Sequence, residues 1–160
     1  ATIDPLGRTN QFRYDSAGRQ FMSIAADGTV VSNTYDAASR LVRVSRYASV
    51  GATNALTWES YTHDPLGRVI TTTDALGNTT SNTFDLAGRV VKVTRPDDSY
   101  EETVYDRLGN VTARIGPVAA NATSQDRADA TTTFEYDGLN RLVKTTDAEG
   151  RETAQEYDRD

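Results

Sequence analysis

Short runs of β-forming residues alternate with polar, turn-forming clusters along almost the whole chain. Before many of these clusters aromatic residues fall two apart, as in Phe12 and Tyr14, Tyr61 and His63, and Phe134 and Tyr136. On a strand that spacing puts each pair on one face and Arg13, Thr62 and Glu135 on the other. After the clusters come Arg40-Leu-Val-Arg-Val44, Arg89-Val-Val-Lys-Val93 and Arg141-Leu-Val-Lys-Thr145, again rich in β-formers. Thr is the commonest residue, which suits half-buried strands. No stretch sustains a helical period with caps, so no helix is predicted. The expected face for packing is the one that carries the aromatic pairs.

The clusters repeat. Asp heads them at positions 4, 15, 27, 36, 64, 74, 85, 97, 106, 137, 147 and 158. Adding 70 to 4, 15, 27 and 36 gives 74, 85, 97 and 106; adding 73 to 64, 74 and 85 gives 137, 147 and 158. The chain thus reads, over residues 1–160, as one repeat array with a larger unit of 70 to 73 residues. Variable loops are expected near 45–57 and 114–131. It opens within one turn phrase and stops part-way through another, so a segment of a longer array is expected.

The chemistry of the phrase explains its spacing. Asp at the first corner accepts hydrogen bonds from amides further along the turn, and Pro5 and Pro65 supply the fixed φ that suits the next position. Gly three residues after Asp tolerates φ > 0, which closes a short bulged hairpin. Asn140 fits that slot and Ser39 fits it less well. Asp-to-Asp intervals of 9 to 12 leave a strand of about six residues between turns, a usual length. The elements add up to a long antiparallel meander.

The candidate motif residues are Tyr14, Asp15, Gly18 and Arg19; Tyr35, Asp36 and Arg40; His63, Asp64, Gly67 and Arg68; Phe84, Asp85, Gly88 and Arg89; Tyr105, Asp106 and Gly109; and Tyr136, Asp137 and Arg141. This Tyr-Asp-x-x-Gly-Arg phrase, with intervening turns such as Thr73-Asp-Ala-Leu-Gly-Asn78 and Thr146-Asp-Ala-Glu-Gly-Arg151, resembles the YD repeat of the Rhs family. The resemblance covers essentially the whole chain and is interrupted mainly at 45–57 and 114–131. It implies an all-β fold of tandem antiparallel β-hairpins in a curved single-layer sheet, a segment of a shell or β-solenoid. Bacterial Rhs and toxin-complex proteins enclose a C-terminal toxic domain in such a shell, and the related teneurins use a similar barrel in adhesion. Bacterial Rhs shells often end in an Asp-Pro-x-Gly-Leu signature associated with self-cleavage. Asp4-Pro-Leu-Gly-Arg8 and Asp64-Pro-Leu-Gly-Arg68 depart from it at the last position and sit in register with ordinary repeats, so both are read as turns.

Composition narrows the picture further. Hydrophobic residues make up 37% and charged residues 25%, which favours a single sheet over a thick two-layer core. The net charge of −6 argues against nucleic acid as the main partner. No apolar run reaches membrane-spanning length, so no membrane insertion by this segment is expected. With one His and no Cys, transition-metal sites and Cys- or His-dependent catalysis find no ligands or bases. His63 occupies a slot held elsewhere by Tyr or Phe and is read as an aromatic substitute. The acids recur as a lattice and not as one special pair, so no catalytic residue, metal or cofactor is assigned and the chain is not read as an enzyme. Asn78, Asn110 and Asn121 open Asn-x-Thr sequons, to which no role is given.

Fifteen of the seventeen basic residues are Arg, and seven of them end the phrase. A planar fork suits bidentate pairing, so several of these are expected to reach turn Asp side chains or carbonyls on adjacent hairpins. The function expected is structural: wall material of a secreted or surface-displayed bacterial YD-repeat shell or solenoid. Its partners would be the remaining repeats of the same chain and an enclosed C-terminal effector domain. The alternative is an extracellular adhesion module for glycans or a surface partner, with Trp58, beside the 45–57 loop, as the possible binding residue.

Overall fold

The computed structural model describes residues 2–3 and 9–158; the Asp4–Arg8 phrase lies outside them. The chain falls into two compact units, residues 1–79 and 80–160. The first holds β1 (Thr2–Ile3), β2 (Thr9–Tyr14), β3 (Gln20–Ile24), β4 (Val30–Tyr35), β5 (Leu41–Tyr47), β6 (Thr57–His63) and β7 (Val69–Asp74). With Thr79 begins β8 (Thr79–Phe84), followed in the second unit by β9 (Val90–Thr94), β10 (Tyr100–Tyr105), β11 (Val111–Val118), α1 (Ser124–Ala128), β12 (Thr131–Tyr136), β13 (Leu142–Thr146) and β14 (Glu152–Ala154). Within each unit every strand pairs antiparallel with its neighbours in the chain. The fold is therefore all-β, a run of tandem antiparallel hairpins.

Strands that run up and down in chain order place alternate turns on opposite edges. In the first unit turns 15–19, 36–40 and 64–68 share one edge, while 25–29, 48–56 and 74–78 share the other. In the second unit turns 85–89, 106–110 and 137–141 share an edge, opposite 95–99, 119–130 and 147–151. The hairpins of the 15–19 and 85–89 type share one further feature, a one-residue register shift beside the turn. It falls between Arg13 and Tyr14, Thr34 and Tyr35, Thr62 and His63, Thr83 and Phe84, Val104 and Tyr105, and Glu135 and Tyr136. A bulge bends the strand and re-aims the side chain next to it, here always the residue before Asp.

A single-layer sheet can bury only what another segment covers. The buried apolar side chains among the described residues are Ile24, Val30, Tyr100 and Val118, each at most 8% exposed. Register places Ile24 beside Val30 and Val30 beside Tyr47; in the second unit Thr94, Tyr100 and Val118 form the matching row. Both rows lie next to the long connections. A cavity of about 200 Å³ is lined by Met22, Val30, Ser32 and Tyr47 on one side and Ser49–Thr53 on the other. By alternation this face is opposite the one bearing Phe12, Tyr61 and the other motif aromatics, which are half-buried or exposed. The expectation that the aromatic face is the packed one is thus corrected: the core forms where a loop long enough to fold back meets the sheet.

The connections also depart from an all-strand reading. β5 continues to Tyr47 and β6 starts at Thr57, so the first loop is 48–56. The second carries α1, a single turn capped by Thr123, whose side chain accepts from the Asp126 amide while Asp126 accepts from the Thr123 amide. Five residues are too few to leave a helical period in the sequence, which is why no helix was predicted. Arg127 anchors this turn to the sheet, donating to the Glu102 carboxylate (2.5 Å) and to the Tyr100 hydroxyl (2.7 Å). Lys92 lies 3.4 Å from the same carboxylate and 3.6 Å above the centre of the Tyr100 ring.

Candidate functional site: a clasp between successive turns

Each motif turn is closed by the same set of bonds. In turn 15–19 the Asp15 amide donates to the Arg19 carbonyl (2.9 Å) and the Gly18 amide to the Asp15 carbonyl (3.0 Å). One Asp15 carboxylate oxygen accepts from the Ala17 and Arg19 amides, and the other from Arg19 Nε at 2.7 Å. The residue three after the leading Asp has φ between 64° and 96° in these turns, including Ser39 and Asn140 where glycine is absent; turns 25–29 and 95–99 open instead with Ala25 and Arg95, so Asp27 and Asp97 sit in the third place and not at the head. The same carboxylate–guanidinium bond recurs in Asp36–Arg40, Asp64–Arg68, Asp85–Arg89, Asp137–Arg141 and Asp147–Arg151, at 2.6–2.8 Å. Asn78 and Asn110 take the same place with their side-chain amides, each 2.9 Å from Asp74 and Asp106.

These bonds set the charge state of the turn. The carboxyls of Asp15, Asp36, Asp85 and Asp137 are held below their ordinary range, first by the backbone amide of the arginine four residues on, then by its side chain. Asp74 and Asp106 are lowered chiefly by the side-chain amides of Asn78 and Asn110. With both oxygens engaged, the lattice of acids is spent on closing turns.

What remains of the arginine reaches the next turn. Arg19 Nη1 donates to Ser39 Oγ (3.0 Å) and approaches the Asp36 carbonyl (3.4 Å); Arg40 Nη1 donates to the Asp64 carbonyl (2.8 Å); Arg89 Nη1 reaches the Asp106 carbonyl (3.3 Å). Where Asn110 replaces arginine it donates to Asn140 of the following turn instead. The tyrosine of that next turn bonds in the opposite direction. Tyr35 donates its hydroxyl to the Gln20 carbonyl (2.9 Å), Tyr105 to Val90 (3.3 Å), Tyr136 to Val111 (3.0 Å) and Tyr157 to Leu142 (2.8 Å). In every case the acceptor is the residue directly after the arginine or asparagine of the preceding turn. The guanidinium lies over the same ring, 4.8 Å from Tyr35 for Arg19, 4.4 Å from Tyr105 for Arg89 and 4.4 Å from Tyr157 for Arg141.

The motif residues therefore come together in pairs of turns, arginine and tyrosine forming a reciprocal clasp. Tyr14 belongs to the same phrase but is largely exposed, and Phe84 has no hydroxyl to donate. His63 fills the tyrosine slot with a buried Nδ1 that makes no hydrogen bond. Trp58 stands apart from the clasp. It is the second residue of β6, paired across from Ser45, with the Arg43 guanidinium 4.2 Å from the centre of its ring. Arg43 was not among the residues singled out in the sequence, because only strand register brings it to Trp58.

Residues 63–100 and 121–152 match the family model described as RHS Repeat. No curated protein matches the chain in sequence. Among solved structures, those of TcdB2-TccC3-Cdc42 and TcdB2-TccC3 are similar at a TM-score of 0.67 and 22% identity, over 86% of this chain. TcdB2-TccC3 without its hypervariable C-terminal region is similar at 0.67 and 21%. In each case the match spans 7% of the length of the other chain.

Proposed function

We propose that this chain is an array of RHS repeats, of which residues 63–100 and 121–152 match the family model, and that it is wall material: a segment of a longer β-hairpin shell of the toxin-complex type, secreted or displayed by a bacterium, that encloses a C-terminal effector. The observation that carries the reading is the clasp. Turns 15–19 and 85–89 each hold the following turn through a charge-assisted bond to a backbone carbonyl and a tyrosine hydroxyl bond returned the other way, and the turns at Arg40, Asn110 and Arg141 keep one half or a variant of it, so contacts pass from one repeat to its neighbour. Such a device specifies the placement of successive hairpins while consuming the polar groups that a catalytic site would leave free. The ion pairs are solvent-screened and each adds little, so the clasp acts on register more than on stability. The fold shared with TcdB2-TccC3 supports the same architecture. In this reading the partners are the flanking repeats of the same chain and the enclosed effector, and the segment performs no chemistry.

The test is cryo-electron microscopy of the intact native protein. A closed compartment with internal density supports encapsulation. An open filament without contents refutes it and leaves a surface-structural or adhesive role.

A further inference from the structure

The face of the first unit opposite the motif aromatics has an unusual charge pattern. Register puts Thr34 beside Arg43, Arg43 beside Ser60 and Ser60 beside Thr73, with Ser45 beside Trp58 in the adjoining row. Across strands β2 to β7 the residues sharing this face include no Asp or Glu, although the whole chain carries a net charge of −6. In the second unit the cations on the corresponding face are neutralised: Lys92 and Arg127 meet Glu102, and Lys144 meets Glu135 and Glu152. Arg43 has no such partner among the described residues. Its Nε donates to Ser45 Oγ (3.2 Å), its plane stacks on Trp58, and the side chain is exposed.

We propose that Arg43 and Trp58 form a binding site for an acidic saccharide, a uronate carried on a glycan chain. The stacked guanidinium is pre-oriented, and its outer edge keeps two nitrogens free for the two oxygens of a carboxylate. The half-buried indole supplies a flat apolar surface for the C–H face of a sugar ring. Thr34, Ser60 and Thr73 carry hydroxyls on the neighbouring strands of the same face, about 4.8 Å apart, a spacing fixed by the sheet, and hydroxyls exchange hydrogen bonds with sugar hydroxyls as donor or acceptor; Ser45 is buried and holds Arg43. The absence of carboxylates removes the repulsion that the rest of this acidic chain would exert on an anionic ligand. The site stands independently of the shell reading, since it needs only the register of β4 to β7.

Trp58 is the single tryptophan, so tryptophan emission excited beyond the absorption of the eight tyrosines reports this site alone. The experiment titrates the chain with an oligogalacturonate, with dextran of similar length and with polyglutamate. A saturable fluorescence change with oligogalacturonate, none with dextran, and at least tenfold weaker binding by Arg43→Gln are expected. Arg43→Lys keeps the charge but loses the fork and falls between the two, while Arg114→Gln, in the other unit, binds as the unmodified chain does. Circular dichroism checks that each variant folds; if Arg43→Gln does not, Arg43→Lys and Trp58→Phe, the latter read by calorimetry, carry the comparison. Equal affinity for polyglutamate overturns the saccharide assignment in favour of an acidic protein segment. No saturable change, or full affinity in both Arg43 variants, overturns the site itself.

Discussion

Removing the Tyr35 hydroxyl isolates one half of the clasp. Tyr35→Phe keeps the ring under the Arg19 guanidinium, 4.8 Å away, and deletes only the 2.9 Å bond to the Gln20 carbonyl. A neutral hydrogen bond contributes about 0.5–1.5 kcal/mol net. The Gln20 carbonyl retains the Asn33 side-chain amide at 3.0 Å, so no orphaned acceptor adds to the loss and the lower half of that range applies. Arg19→Ala removes more: the pair with Asp15, the bond to Ser39 and the stacking on Tyr35. The Asp15–Arg19 pair is partly exposed and screened by solvent, so it adds little, and the cation–π contact adds about 0.5–1 kcal/mol. We therefore expect Tyr35→Phe to lower stability by about 0.5–1 kcal/mol and Arg19→Ala by about 1–2 kcal/mol. In the cycle built from Arg19→Ala and Tyr35→Leu, which deletes the ring itself, the coupling should be about 0.5–1 kcal/mol. Urea unfolding followed by circular dichroism measures all of these. A coupling of zero, with Tyr35→Phe indistinguishable from the unmodified chain, would refute the clasp as an energetic unit and leave it a by-product of the turns.

Three further outcomes follow from the same geometry. The turn carboxyls have folded-state pKa values below their unfolded values, so their contribution is complete above the unfolded pKa of about 4 and is lost as pH falls through the folded values; acid titration should show unfolding that starts only below about pH 4, and Asp15→Asn should remove part of that dependence. Glu102→Gln leaves Arg127 and Lys92 without their shared carboxylate, so amide exchange should accelerate across residues 119–130 while β12 and β13 stay protected; unchanged exchange there would show that Arg127 does not hold the loop. Gly116 has φ near 108°, and a Cβ there would lie 2.6 Å from the Tyr100 carbonyl oxygen. Gly116→Ala should therefore cost about 2–4 kcal/mol in strain and overpacking, measured by thermal unfolding.

The sequence by itself determined the hairpin lattice. Asp, a residue tolerant of positive φ and a basic or amide side chain at fixed offsets are local requirements of one turn, and local requirements leave a local record. Alternation of β-formers between those turns is likewise visible within a few residues, so strands, turns and their order were legible. Trp58 was noticed as a lone aromatic beside a loop, but its partner was not, since Arg43 is fifteen positions away and meets it only through the pairing of β5 with β6. The positive-φ slot of the turn announced a bulge in each hairpin, but that the bulge re-aims Tyr35 and Tyr105 toward the preceding turn is decided by pairing between strands. Only the tertiary structure decided which face is buried. The alternation of Phe12 and Tyr14 specifies that two faces differ, not which of them a distant segment will cover. Loop 48–56 and the turn around Arg127 fold onto the face of Val30 and Tyr100. That leaves the aromatic face to the clasp, because burial in a single-layer sheet depends on what lies above it.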